Sequence, residues 1–376
     1  MTDCGRHDLS RLMRPSWVEI DFSALGYNVA RARQLVGPGV KIYLVVKGDG
    51  FGFGAAAVAG HAEAAGIDGF CAGSPDEVVA VRSTGSRLPV LLFASTAPQD
   101  LRRAAVLGAI VTVESPEGLE ELLKDGEPAD VFVEIDAGLA RFGFGPTEWP
   151  DAFRRLARAP RIRVKGIYAH FTGSGDERAI ARQRGIYDAA LADADSAGLR
   201  GYARMVSSSR SMIAHRELDF DIVDPGRFIF GALDGEWMQK AGLRACLAAV
   251  KGRIIRIHEY ADGDELGIGY AAPIKVSGRR RTAVVPIGFW DGLGHPPPLG
   301  EVLVGGRRCP VLGRRTFQHS IIDVTDVLDV SVGDEVVIIG RQRDGEITID
   351  DLAASTGTLV MELIPRLLRA LPHVCI

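Results

Sequence analysis

Cysteine is scarce in this sequence. The 376 residues include five, Cys4, Cys71, Cys246, Cys309 and Cys375, odd in number, widely spaced and without a CxxC pair. Neither a disulfide framework nor a zinc site is therefore expected, no metal centre is read here, and a reducing compartment suits the chain. Positive charge is not in excess either: 44 Lys and Arg stand against 48 Asp and Glu, a net charge of −4. That leaves no broad basic field for nucleic acid or an anionic membrane, and the short run Arg279-Arg280-Arg281 reads as a solvated hairpin turn. The apolar stretches fall short of the roughly 18 residues that a membrane helix needs. The opening MTDCGRHDLSRLMRP has no apolar core of a signal peptide. A cytoplasmic chain that partners neither nucleic acid nor membrane is the expectation.

Hydrophobic residues make up 47% of the chain and charged residues 24%, ordinary globular composition, and the chain is long enough to bury a large core without staples. Up to about residue 235, short apolar runs alternate with helical patterns. Strands are predicted at Val18–Phe22, Ile42–Val46, Gly69–Ala72, Val90–Phe93, Ala109–Val113, Val131–Ile135, Val164–Tyr168 and Arg204–Ser207, with a further run at Phe220–Val223. Strands alternating with helices imply parallel βαβ units, and this number of units fits an α/β fold with a TIM-type (β/α)8 barrel. A doubly wound open sheet is the alternative, but no Gly-rich nucleotide fingerprint follows the first strand. From about residue 247 the runs become short, β-branched and separated by turn signals such as Asp262-Gly263 and Gly305-Gly306. The expected division is a barrel over 15–246 and a mostly β C-terminal domain over 247–376, with Asp350–Leu371 again helical.

Several motifs sit at the C-terminal ends of predicted barrel strands, where barrels of this type hold their chemistry. Lys47 ends the run Tyr43-Leu44-Val45-Val46 and is followed by Gly48-Asp49-Gly50-Phe51-Gly52. A lysine backed by apolar side chains can serve as a Schiff-base amine, or can simply snorkel outward. Glu134 to Arg141, Tyr168-Ala169-His170, Ser207-Ser208-Ser209-Arg210 and Asp224-Pro225-Gly226-Arg227 complete the set. Alone, each has a bland reading as a cap, a core edge or a solvated charge. Together they place a lysine, hydroxyls, arginines, an imidazole and a carboxylate on one face, which suits pyridoxal 5'-phosphate (PLP).

At this point the chain resembles the alanine racemases, fold-type III PLP enzymes, over nearly its whole length. The resemblance is carried by Trp17-Val18-Glu19-Ile20-Asp21, Val45-Val46-Lys47, Arg141-Phe142-Gly143-Phe144, Gly269-Tyr270, Val285-Pro286-Ile287-Gly288-Phe289-Trp290-Asp291-Gly292, Pro310-Val311-Leu312-Gly313-Arg314 and Glu346-Ile347-Thr348-Ile349-Asp350. It implies a barrel followed by a β domain, PLP, an amino-acid substrate, and a homodimer in which one chain's second domain completes the other's site. Lys47 would hold PLP and act as one α-carbon base, with Tyr270 from the partner chain as the other and His170 as its cationic helper. Arg141 would contact cofactor and substrate carboxylate, Glu134 would orient Arg141, and Ser208 and Ser209 would bind the phosphate.

The departures bear on the chemistry. Asp224 stands where an alanine racemase has an arginine facing the pyridine nitrogen. A carboxylate favours the protonated ring, the better acceptor of carbanion charge. Asp224-Pro225-Gly226-Arg227 resembles the Glu-Pro-Gly-Arg of the related decarboxylases, in which the arginine helps hold the phosphate. Phe51 and Met361 replace two phosphate tyrosines, leaving Arg227 or Arg210 to take over the anion. Thr316-Phe317-Gln318 alters the substrate entrance, with Phe317 a candidate substrate contact, so the substrate need not be alanine. The readings in order are an amino-acid racemase or epimerase; an aldolase, transaldolase or decarboxylase exploiting Asp224; a silent PLP-binding protein; and a barrel without PLP.

Overall fold

The computed structural model describes residues 14–124, 126–267, 272–294 and 300–376. They form two compact units, one of residues 25–230 with 240–243, the other of residues 14–24, 231–239 and 244–376. The first strand, β1 (Ser16–Ile20), belongs to the second unit. In the first unit β2 (Lys41–Val45), β3 (Gly69–Ala72), β4 (Val90–Leu92), β5 (Ile110–Val113), β6 (Ala129–Glu134), β7 (Ile162–Tyr168), β8 (Ala203–Ser208) and β9 (Ile222–Asp224) form a closed parallel barrel. Closure is made by β2 against β9, with Lys41 opposite Ile222 and Ile42 opposite Val223.

The barrel strands are near-continuous apolar runs because both of their faces are covered. Tyr43, Cys71, Leu91, Phe132, Tyr168 and Met205 belong to one buried cluster, and each large apolar side chain removed from water contributes about 1.5–3 kcal/mol. Gly166 in β7 is a packing requirement: a Cβ there would meet the Phe132 ring at 2.2 Å. The intervening helices begin on signals visible in the chain. Ser74 and Glu77 form a capping box on Pro75–Ser83, Ser115 caps Pro116–Leu123, and Asp176 caps the long helix Glu177–Ser196.

The second unit is mostly β. Its further strands are β10 (Leu247–Arg253), β11 (Arg256–Tyr260), β12 (Glu265–Leu266), β13 (Ile274–Lys275), β14 (Arg280–Val285), β15 (Glu301–Val304), β16 (Arg307–Leu312), β17 (Ser320–Asp323), β18 (Glu335–Gln342), β19 (Gly345–Ile347) and β20 (His373–Cys375). The main sheet runs β11-β14-β17-β16-β15-β18-β10-β1-β20, with β19 on β18. Two helices, Ile349–Thr356 and Val360–Ala370, precede β20. Among the described residues no helix is long and apolar enough to cross a membrane.

Two expectations are corrected. Val18–Phe22 does not enter the barrel: as β1 it pairs antiparallel with β10, Val18 opposite Val250, and parallel with β20, Val18 opposite His373. The N-terminal strand therefore groups with the β unit, and the division differs there from 15–246 and 247–376. An apolar run states that a strand is buried, not which strand it pairs with. Cys375 is disulfide-bonded, whereas Cys71, Cys246 and Cys309 are buried thiols. Spacing along the chain did not reveal a bond that the fold assembles.

Candidate active site

The site candidates of the first unit lie where its strands end. Lys47 follows β2, Glu134 ends β6, His170 follows β7 and Asp224 ends β9. With Arg141 from the loop after β6 they line a cavity of about 220 Å³. Room for the lysine is made on β3's side, since a Cβ on Gly73 would lie 2.7 Å from Lys47 Cγ. The Lys47 amine sits 5.0 Å from the centre of the Phe93 ring, within range of a cation–π attraction.

The backbone after Lys47 is held in an unusual shape. Gly48, Asp49, Gly50 and Phe51 all take the left-handed conformation, with φ of 64°, 56°, 64° and 58°. For Asp49 and Phe51 that costs about 1–2 kcal/mol each. The surroundings offset the cost. Asp49 Oδ1 accepts from the Ala55 N–H at 2.7 Å. Glu77 accepts from the N–H groups of Asp49, at 3.0 Å, and Gly73, at 2.6 Å. The capping glutamate of one helix thus ties the lysine loop to the strand end beside it. Phe51 and Phe53 both pack on Phe230, with centroids 5.1 Å away in each case.

Burial sets the charges. It pushes the Asp224 carboxyl up to about 7, against the pull of Lys47. It pushes Glu134 up to about 7 as well, against Tyr168, Arg141 and Lys47. His170 is lowered to about 4 by burial and by Lys47, Arg141 and Arg227, so at neutral pH it is a neutral imidazole. The cationic role that the resemblance implies for it is not available there. Glu134 accepts a 2.7 Å hydrogen bond from the Tyr168 hydroxyl, while the Arg141 guanidinium stands 5.5 Å from the Phe142 ring centre.

These shifts predict how the PLP-free chain responds to pH. Asp224 and Glu134 hold protons in the fold that the unfolded chain, with ordinary values of 3.8 and 4.5, has released. Each therefore lowers stability as pH rises from about 4 to about 7. His170 works in the opposite direction from about 4 to 6.5, because the fold has shed a proton that the unfolded chain keeps. Two losses outweigh one gain. Between pH 5 and pH 8, Asp224→Asn is expected to gain stability relative to the parent chain, by roughly a few kcal/mol. Denaturation midpoints of the PLP-free proteins check this; a difference that stays flat across that range contradicts it.

The remaining sequence candidates fall beside the cavity or in the other unit. Ser208 lies opposite Asp224 in the β8–β9 register. Ser209 Oγ accepts from the Phe228 N–H at 3.1 Å, which leaves its own proton to donate. Gly226 is buried, and a Cβ there would lie 3.1 Å from Val45 Cβ and 3.3 Å from the Phe51 ring. Arg227 is near enough to depress His170. Phe317, in the second unit, is half exposed and stacks on Trp290 with centroids 5.0 Å apart. Tyr270 lies outside the described residues. Phe93 and Gly73 also line the cavity, and neither lies in a motif that the sequence singles out. Tyr168, which ends the predicted strand Val164–Tyr168, lines it as well and is the register partner of Glu134.

A family model described as the alanine racemase N-terminal domain matches residues 20–234, and one described as the C-terminal domain matches residues 247–375. The alanine racemase of Symbiobacterium thermophilum is 32% identical over 371 residues, covering 96% of this chain and 97% of that one. That of Halothermothrix orenii is 30% identical over 374 residues, covering 96% and 97%. Among solved structures, the alanine racemase of Bacillus anthracis with bound L-Ala-P superposes with a TM-score of 0.87 at 26% identity, covering 97% and 96%. The alanine racemase of Streptomyces coelicolor A3(2) superposes with a TM-score of 0.85 at 27% identity, covering 98% and 100%.

Proposed function

The chain belongs to the alanine racemase family, and from that premise we propose that it is a PLP-dependent amino-acid racemase using Lys47 and Tyr270 as α-carbon bases on opposite faces. The observation that carries this reading is the convergence of Lys47, Arg141 and Asp224 on one cavity at the mouth of the barrel. The donor set fits the cofactor: an amine with room cleared by Gly73, a half-buried carboxyl for a ring nitrogen, and serine, glycine and arginine groups beside them for a phosphate. Lys47 would hold PLP, Asp224 would face its ring nitrogen, and Ser208, Ser209, Gly226 and Arg227 would hold its phosphate. Bound PLP supplies the electron sink for charge developing at the α-carbon.

The residues of the chain do the rest. Arg141 offers a guanidinium to the substrate carboxylate. Asp224 keeps a proton near neutrality and can share it with a basic nitrogen. Lys47 takes or returns a proton on one face, and Tyr270 of a partner chain, in a homodimer, on the other. Phe317 would contact the substrate. Alanine is the substrate named for the relatives; Thr316-Phe317-Gln318 at the entrance supports a different or wider choice here. Asp224 also favours a second reading, an aldolase, transaldolase or decarboxylase acting at the same carbon.

The test is incubation of the PLP-loaded enzyme with L- and D-amino acids in D₂O, following α-deuteration by NMR and enantiomer ratio by chiral chromatography. Deuteration with inversion supports the racemase and names its substrate. Retention, or release of CO₂ or an aldehyde, moves the assignment to the second reading. In Tyr270→Phe, inversion is expected to be lost while some α-proton exchange through Lys47 persists. Full racemisation by that variant would remove Tyr270 from the mechanism.

A further inference from the structure

The glutamate that caps the helix Pro75–Ser83 has a second occupation. Its backbone N–H goes to Ser74 Oγ at 3.4 Å, and its Oε2 accepts from the Ser74 N–H at 3.1 Å, the reciprocal pair that starts the helix. The same oxygen also accepts from the Gly73 N–H at 2.6 Å, and Oε1 accepts from the Asp49 N–H at 3.0 Å. Three backbone donors thus share one carboxylate, and only the Ser74 N–H belongs to the helix start. The other two belong to the surroundings of Lys47. Asp49 stands two residues after it in the left-handed turn, with φ of 56°, a conformation that an aspartate holds at a cost. Gly73 is the floor on which the lysine stem lies, since a Cβ there would come within 2.7 Å of Lys47 Cγ and 3.0 Å of Cδ. The Gly73 carbonyl in turn accepts from the Ser95 hydroxyl. Both the backbone that leaves Lys47 and the backbone that its side chain lies on are therefore fixed to Glu77.

We infer that Glu77 is a positioning residue: its carboxylate clamps the Asp49 and Gly73 peptides together and so sets where the Lys47 amine points. A lysine stem is flexible, and an amine on a loosened stem spends less time in the geometry that reaction needs. The consequence for turnover rests on the racemase reading above, in which Lys47 is the reacting amine; the clamp itself does not. The chemistry of the carboxylate makes cap and clamp separable. An ionised carboxylate accepts at both oxygens, whereas an amide accepts at one end and donates at the other. In Glu77→Gln the amide oxygen can take the place of Oε2 and meet Ser74 and Gly73, and glutamine serves a capping box as glutamate does. Its NH2 then faces the Asp49 N–H, donor against donor. The turned amide would set its NH2 against two N–H groups instead of one, which is the worse arrangement. Glutamine therefore keeps the helix and lets go of the lysine loop.

The full-length protein stripped of PLP gives the first readout. Amide hydrogen exchange at Asp49 is expected to quicken on the order of tenfold in Glu77→Gln, with the amides of Pro75–Ser83 and the thermal midpoint little changed. Exchange at Asp49 as slow as in the parent overturns the clamp. PLP is then added, and borohydride at timed intervals traps cofactor on the chain; capture should slow several-fold in Glu77→Gln. Ser74→Ala is the control for the helix. It removes the capping hydroxyl and leaves the carboxylate its contacts with Asp49 and Gly73, so it should lower the thermal midpoint and leave capture unchanged. Capture slowed as much in Ser74→Ala as in Glu77→Gln would make helix integrity the cause and overturn the role. In the loaded enzyme, counted per PLP-bearing site, Glu77→Gln is expected to lower kcat about tenfold and to leave KM within about twofold, because the amine is displaced and the binding of substrate is not. An unchanged kcat overturns the positioning of Lys47. Slowed capture in a protein without racemase turnover would retire the racemase reading and leave the clamp standing.

Discussion

Lys47→Ala abolishes turnover, by on the order of 10⁴-fold or more, as removal of a covalent catalytic group does elsewhere. The expectation rests on the cavity itself: Lys47 is the one lysine among the described residues that line it. The groups around it are arranged for an amine, with Phe93 under the charge at 5.0 Å and Gly73 clearing the path of the side chain. No neighbour can replace it, since Arg141 cannot release a proton to become a nucleophile. The fold should not suffer, because Lys47 is exposed and its removal leaves the loop that follows it unchanged. Two readouts separate the outcomes. Borohydride should fix the cofactor to the parent chain, seen as added mass on the intact protein, and should fail to do so in the variant. Retained turnover together with retained fixation would move the Schiff-base role to another residue and sink the assignment of Lys47.

Asp224→Arg slows α-proton exchange on about the scale of 10²–10³-fold, the loss that follows removal of one preorganised electrostatic partner. Asp224 is half-buried where it lines the cavity, and loss of hydration there raises its carboxyl to about 7. A carboxyl so poised keeps a proton at hand for a basic ring nitrogen and, once it shares that proton, becomes an anion beside a cation. An arginine in the same place can do neither. Asp224→Asn is the control for size: it fills the position, cannot ionise, and should slow exchange by a comparable factor. Exchange measured by NMR in D₂O gives the answer for both variants, alongside cofactor affinity from equilibrium titration. Unchanged exchange in both would sink the role of Asp224 toward the ring nitrogen. Loss confined to cofactor affinity would recast it as a binding residue. The comparison also bears on the choice between racemase and aldolase or decarboxylase, because a strong electron sink assists cleavage of whichever bond at the α-carbon is aligned for it.

Much of the barrel was legible along the chain. Parallel strands buried on both faces read as apolar runs, and seven of these, from Ile42–Val46 to Arg204–Ser207, lie on observed barrel strands β2 to β8, with Phe220–Val223 overlapping β9. Once the strand ends are known, barrel geometry places Lys47, Glu134, His170 and Asp224 on one rim, because side chains at the C-terminal ends of neighbouring strands converge there. Helix starts were equally visible, since Ser74, Ser115 and Asp176 cap by bonding to backbone a few residues away. These are local or periodic properties, and a linear chain carries them in full.

Partnership and protonation are different in kind. Nothing in Trp17-Val18-Glu19-Ile20 tells that its neighbours are the remote strands β10 and β20, because alternation fixes a strand's faces and leaves its edges unassigned. His170 reads as a potential cation until Lys47, Arg141 and Arg227 gather around it and burial removes its hydration. Glu134 reads as an anion until burial inside the barrel pushes its carboxyl up to about 7. Charge states depend on solvent exclusion and on distances between groups remote in sequence, and those come into being when the barrel closes.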